Sequence, residues 1–139
     1  MSRKKYAINL SCGQTDLYPL ALAEMGKQLH TPIYYLPYYD LEIACIKMLQ
    51  EMLHTTNDVL TLIGTATYGE EAAMLSALEH GDHVLTVNTG LFGQVLTDLA
   101  RAVGAEPTEI RLAAGQSVTP DQIRAALQQD PTIKMVAVV

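Results

Sequence analysis

Thr65, Ala66 and Thr67 form a short run of small and hydroxylated residues where an apolar stretch, Val59 to Ile63, gives way to helical spacing. The first N–H groups of a helix have no partner within it. Together with the positive end of the helix dipole they favour an anion, to which two threonine hydroxyls can add hydrogen bonds. Gly64 and Ala66 let the backbone approach closely, so the stretch has the make-up of a phosphate cup. On geometry alone the same residues also fit an ordinary capped helix start. The stretch is not a P-loop, because the Gly-Lys-Ser/Thr ending is absent, and its glycines lack the spacing of a dinucleotide fingerprint.

A second candidate is Asn88-Thr89-Gly90-Leu91-Phe92-Gly93-Gln94, again between an apolar run and a helical one. Phe92 is the only phenylalanine of the chain and has a glycine on its C-terminal side. An aromatic ring held at a strand end can lie on a planar heteroaromatic ligand, contributing about 0.5 to 1.5 kcal/mol beyond its burial. Packing under the following helix is the alternative for the same ring. His30, His54, His80 and His83 have no partner spacing for a metal or for nucleophilic catalysis and read as surface or cap residues. Cys12 and Cys45 are unpaired in spacing and read as inert thiols of a reduced, cytoplasmic compartment.

The elements that must position these residues follow from periodicity. Asp16 to His30 reads as a short helix with Asp16 as its cap and Pro19 in its first turn. Tyr34 to Tyr39 holds four of the seven tyrosines and Pro37; together with Pro32 this favours an extended or turning segment. It is a candidate subunit interface or else a proline-pinned surface loop. From Leu41 the apolar positions Ala44, Met48, Leu49 and Met52 keep helical spacing until His54-Thr55-Thr56-Asn57 breaks it.

Beyond Asp58 the rhythm becomes strand and helix in alternation. Strands are expected at Val59 to Ile63, His83 to Val87, Thr108 to Leu112 and Ile133 to Val139, with helices at about Tyr68 to Glu79, Phe92 to Val103 and Pro120 to Gln129. That order predicts a parallel α/β sheet. Thr119, Pro120 and Gln122 make a capping box at the last helix, and Gly81 is the expected C-terminal cap of the first. The final run, Met135 to Val139, is apolar enough to be buried on both faces. A strand of that kind ordinarily continues into a loop and a covering helix, so a longer natural chain is expected. Residues 1–57 thus form an N-terminal segment and helix leading into an α/β domain that occupies 58–139.

With 139 residues and 49% hydrophobic content the chain is long and apolar enough for a packed core. A net charge of −6, with no basic cluster beyond Arg3-Lys4-Lys5, argues against nucleic acid or an anionic membrane as partner and favours a small metabolite. No apolar run approaches the roughly 18 residues of a membrane span.

Taken in order, the strand, the Thr65-Ala66-Thr67 turn, Glu71-Ala72-Ala73, Leu78-Glu79-His80-Gly81-Asp82 and Gly90-Leu91-Phe92-Gly93-Gln94 resemble the class V pyridoxal-phosphate aminotransferases. The alanine–glyoxylate and serine–pyruvate types are the nearest. The resemblance runs from about Ile8 to the end and implies the N-terminal half of a fold-type I large domain, a three-layer α/β/α sandwich. It implies that Thr65, Ala66 and Thr67 hold the phosphate of pyridoxal 5'-phosphate, that Phe92 stacks on its ring, and that Gly13 lies near the substrate carboxylate. Phe92 departs from the tryptophan common in that family but keeps the π-face, and Ser11-Cys12-Gly13-Gln14 lacks the family's prolines. The resemblance further implies a small amino acid and a 2-oxo acid as substrates, a homodimer, and a first strand separated from the other three by strands later in the chain. Lys4, Lys5, Lys27, Lys47 and Lys134 do not match the cofactor-bearing lysine. That residue is expected after Val139, which would leave these 139 residues inactive by themselves.

Overall fold

The computed structural model describes residues 16–28, 30 and 32–139, so Gly13 and Cys12 lie outside the described residues. The chain divides into two compact units, one up to Leu60 and one from Thr61 onward.

The first unit is helical. α1 spans Pro19–Met25, with Pro19 in the first turn as expected, but Tyr18 rather than Asp16 is its N-cap, and it ends at Gly26, short of His30. α2 spans Leu36–Leu53, so the tyrosine-rich stretch is not extended throughout: Tyr38 and Tyr39 are helical. The physical reason is position. Pro37 falls in the first turn, where its missing N–H would have had no partner and its fixed φ already suits a helix. His54 ends the helix in the left-handed conformation at φ 50°, its N–H reaching the Gln50 and Glu51 carbonyls.

The second unit is built on a three-stranded parallel sheet of order β2-β1-β3, with β1 His83–Asn88, β2 Glu106–Arg111 and β3 Ile133–Ala137. α3 (Ala66–Ala77) precedes β1, α4 (Leu91–Ala102) connects β1 to β2, and α5 (Pro120–Gln129) connects β2 to β3. β1 and β2 pair in uninterrupted register from His83 opposite Glu106 to Asn88 opposite Arg111. The β1–β3 ladder shifts by one residue between His83 and Val84.

Period-two alternation along β1 then assigns faces. Val84 packs with Leu96 and Ala100 of α4 and with Met74 and Leu78 from the end of α3, while Leu85 and Val87 point to the other face and are equally buried. Full burial of Val84, Leu85 and Val87 stabilises the fold by about 2 kcal/mol each. The doubly buried strand is therefore β1. The run expected to be buried on both faces, β3, alternates half-buried and exposed because Met135 and Ala137 face the core cluster while Lys134 and Val136 lie on the opposite face.

Val59 to Ile63, expected as a strand, is not one. No described strand lies beside it to take its backbone hydrogen bonds, and Leu60 and Ile63 are exposed at 85% and 102%. A strand is defined by its ladder, which apolar composition cannot supply. α3 ends at Ala77, with Leu78 extended, so Gly81 is not a helix cap. At φ +85° Gly81 instead makes the turn into β1, and its N–H donates to the Gly104 carbonyl at 2.8 Å. The capping box at α5 forms as the sequence indicates: the Thr119 hydroxyl accepts the Gln122 N–H and the Gln122 side chain accepts the Thr119 N–H.

Candidate functional site

At the start of α3, Thr65 is the N-cap. Its hydroxyl oxygen accepts the Tyr68 N–H at 3.3 Å, and its carbonyl accepts the N–H groups of Tyr68 and Gly69. Helix geometry leaves the Ala66 and Thr67 N–H groups without an intrahelical acceptor. The Thr65 hydroxyl, occupied as an acceptor, keeps its proton to donate, and the Thr67 hydroxyl lies one residue into the helix. Gly64 is constrained here, because a Cβ would meet the Tyr68 ring at 2.6 Å. The turn can thus offer two backbone and two hydroxyl donors to one anion. These are also the features of a plain capped helix, so the donors define capacity rather than occupancy.

Phe92 is the second residue of α4 and is 48% exposed, so about half of its surface is left unpacked by the helix. The turn that carries it is held from beneath. Asn88, the last residue of β1 and 4% exposed, accepts the Gly90 N–H on Oδ1 at 3.1 Å. Its Nδ2 donates to Gln94 Oε1 at 3.1 Å and to Glu109 Oε2 at 3.2 Å. Arg111, opposite Asn88 in the ladder, closes the ring of contacts by donating from Nε to Glu109 Oε1 at 2.6 Å and from Nη2 to Gln94 Oε1 at 2.7 Å. The Arg111 guanidinium is the main reason the Glu109 carboxyl titrates below its ordinary range, with Asn88 adding to it against partial burial. Gly93 is fixed by contact, since a Cβ there would lie 2.6 Å from Asn88 Cα and 2.8 Å from the Val87 carbonyl oxygen. One turn further on, the Thr97 hydroxyl donates to the Gly93 carbonyl at 3.2 Å, leaving the Thr86 hydroxyl to donate to Thr97 at 2.8 Å.

These partners escaped sequence reasoning. Glu109 and Arg111 lie in β2, 21 and 23 positions beyond Asn88, and only the ladder register brings them to it. A cleft of about 320 Å³ opens beside the turn, lined by Asn88, Gly90, Leu91, Gln94, Arg111 and Leu112 among others. It lies at the C-terminal ends of the parallel strands, where open α/β sheets bind ligands. A larger concavity, about 610 Å³, surrounds the end of α2 at Lys47, Gln50 and His54. Neither concavity is lined by Thr65, Ala66, Thr67 or Phe92; the smaller is set apart by its place beside the α4 turn at the strand ends.

At the opposite edge of the sheet His83 Nδ1 lies 2.7 Å from Asp130 Oδ2 and Nε2 lies 3.4 Å from Glu106. His83 is therefore a partly exposed residue of an ion-paired cluster, and its partner Asp130 is 47 residues away. Bonding to Asp130 raises the His83 pKa. Asp130, held chiefly by the Thr132 hydroxyl and then by His83, is lowered to about 2. Lys134 pairs with Asp82 at 2.7 Å, far along the strands from Phe92. Cys45 is exposed and unpaired. Among the described residues no helix is long and apolar enough to cross a membrane, and no cluster of three His, Cys, Asp or Glu is placed to hold a metal.

No family model matches the chain. It is 33% identical over 84 residues to the 2-aminoethylphosphonate–pyruvate transaminase 2 of Burkholderia lata, covering 60% of this chain and 22% of that one. It is 25% identical over 134 residues to the pyridoxamine–pyruvate transaminase of Mesorhizobium japonicum, covering 94% of this chain and 33% of that one. The crystal structure of a ureidoglycine–glyoxylate aminotransferase from Bacillus subtilis superimposes with a TM-score of 0.80 at 26% identity, over 89% of this chain and 32% of that one. These homologues and structural neighbours are aminotransferases, the class of enzyme that the sequence resembles. The parallel α/β unit is one part of their fold, and the chain spans between about a fifth and a third of their length.

Proposed function

We propose that this chain forms the phosphate-binding and ring-stacking part of a pyridoxal-phosphate aminotransferase that moves an amino group from a small amino acid to glyoxylate or pyruvate. The observation that carries the reading is that one compact unit presents a donor-rich helix start at Thr65 to Thr67 and a half-exposed aromatic ring at the start of α4. Inorganic phosphate would need only the first of these; a phosphorylated heteroaromatic ring needs both.

In this reading the Ala66 and Thr67 N–H groups and the Thr65 and Thr67 hydroxyls hold the phosphate, with the helix dipole favouring its charge. Phe92 lies on the pyridine ring. Gly13 lies near the substrate carboxylate. The bound cofactor supplies an electron sink for the substrate carbanion. None of the chain's lysines matches the cofactor-bearing one, and the resemblance places that residue in another stretch of polypeptide. Residues 1–57 would then be the segment entering the large domain and 58–139 its first part. A homodimer fits the exposed tyrosines Tyr34 and Tyr35, and a cytoplasmic setting fits the unpaired, exposed Cys45.

The test is made on the full-length protein, after an intact mass and a visible absorbance spectrum have established its size and its bound pyridoxal. Phe92→Ala is expected to weaken pyridoxal phosphate roughly threefold to tenfold while leaving inorganic phosphate binding unchanged, the scale of one lost aromatic contact. Equal loss of both ligands overturns the stacking assignment and leaves a phosphate-binding α/β domain. A lyase or desulfurase on the same scaffold would keep the cofactor result and fail to transfer the amino group to a 2-oxo acid.

A further inference from the structure

The polar ring beneath the Phe92 turn has more order than a turn requires. A tight turn leading into a helix needs only one side-chain acceptor for its free N–H, which Asn88 Oδ1 provides to Gly90. Here the amide that provides it is itself held at both Nδ2 hydrogens, by Gln94 from α4 and by Glu109 from β2. Arg111 then ties those two holders to each other. Glu109 has a side chain only 16% exposed, and among the described residues no buried side-chain polar atom is left without a partner.

A ring of this kind resists rotation of the first turn of α4 about its own axis. Gln94 is two residues from Phe92, roughly 200° around the helix, so fixing Gln94 fixes the direction in which the ring projects. Gly93 removes the remaining freedom by seating the helix backbone on Asn88 and Val87. We infer that Glu109 is a positioning residue for Phe92, acting through Asn88 and Gln94 to set the angle at which the ring meets a planar ligand. This rests on the reading of Phe92 as the cofactor-stacking residue. A charge-assisted contact suits the task because it is roughly twice as strong as a neutral one, and the aromatic contribution depends on ring geometry.

The experiment uses the full-length protein carrying pyridoxal phosphate, with two readouts: the visible circular dichroism of the bound cofactor, which reports its asymmetric surroundings, and the cofactor dissociation constant. Glu109→Ala is expected to change the dichroism and weaken binding roughly threefold, no more than Phe92→Ala does, since it can forfeit only part of one aromatic contact. Glu109→Gln, which keeps one acceptor oxygen, loses less. Because Glu109 acts through Phe92, adding Glu109→Ala to Phe92→Ala produces little further loss. A lowered melting temperature with unchanged dichroism and affinity overturns the inference, as does full additivity in the double variant. Should Glu109→Ala fail to fold, Arg111→Met at the exposed corner of the ring runs the same cycle with the same criteria. If Phe92→Ala itself leaves the cofactor's spectrum and affinity unchanged, the stacking reading falls; if Phe92→Ala acts and neither ring variant does, only the positioning role falls.

Discussion

At its C-terminal edge the sheet closes around a buried amide, Asn88, whereas at its N-terminal edge it is laced by ion pairs that water reaches. Both clusters join β1 to a neighbouring strand and both contain a carboxylate bound to a cation or a histidine. They differ in what they surround. The C-terminal cluster encloses a tight turn with two glycines and leaves an aromatic ring half exposed above it. The N-terminal cluster encloses nothing: His83 is 39% exposed along its side chain, and Asp82, Asp130 and Lys134 tie β1 to β3 and to the turn before it. In a parallel sheet the first edge is where loops that follow strands meet ligands, and the second serves stability. The same residue types therefore hold a tight turn and its half-exposed ring at one end and hold the sheet together at the other.

The sharpest way to break this comparison is at Gly93. A methyl group there would lie within 2.6 Å of Asn88 Cα and 2.8 Å of the Val87 carbonyl oxygen, both backbone atoms that cannot move without shifting β1. Gly93→Ala is expected to cost about 3 kcal/mol, measured by urea denaturation, as overpacking against fixed backbone does. A loss below about 1 kcal/mol would show that the seat of α4 is loose and that the C-terminal edge is no more rigid than the other. A smaller effect is expected at the second helix start of the same unit. Thr65→Ala removes the α3 cap and should cost about 1 kcal/mol, while Thr65→Ser, which keeps the hydroxyl, should cost less. An Ala variant as stable as wild type would mean that the Tyr68 N–H finds another acceptor.

What could be read in advance divides along the same line as the contacts themselves. The α5 capping box was legible because Thr119, Pro120 and Gln122 lie within four residues and their bonds are made to each other. The parallel α/β order was legible because each strand and helix has its own period. Thr65 and Phe92 could be singled out because their neighbours in sequence are also their local surroundings. Glu109 and Asp130 could not. They meet Asn88 and His83 across 21 and 47 positions, through a register that only the assembled sheet sets. Val59 to Ile63 failed for the converse reason, since its composition suits a strand but the ladder that would make it one is a property of its neighbours. Tyr38 and Tyr39 were misplaced because a proline that breaks a helix interior is harmless in a first turn.

The smallest expected effect distinguishes the two edges by pH. His83 has its pKa raised, first by Asp130, so its contribution is complete below the ordinary histidine value of about 6.5 and is lost as pH rises through the higher folded value. Asp130 is lowered to about 2, so its contribution is complete above the ordinary aspartate value of about 3.9 and is lost as pH falls toward 2. Glu109, lowered chiefly by Arg111, is likewise lost only in acid. Acid therefore weakens both edges, but alkali above about pH 6.5 weakens the N-terminal edge through His83. The melting temperature should rise from pH 2 to about 4, stay level to about 6.5, and then decline slightly, the decline being small because water screens a partly exposed pair. His83→Gln, measured across the same range, should abolish the alkaline decline and leave the acid limb from Glu109 in place. An alkaline decline of equal size in that variant would mean that the histidine does not carry the pH response of this edge, and that the His83–Asp130 contact is one of the many surface ion pairs that add nothing measurable.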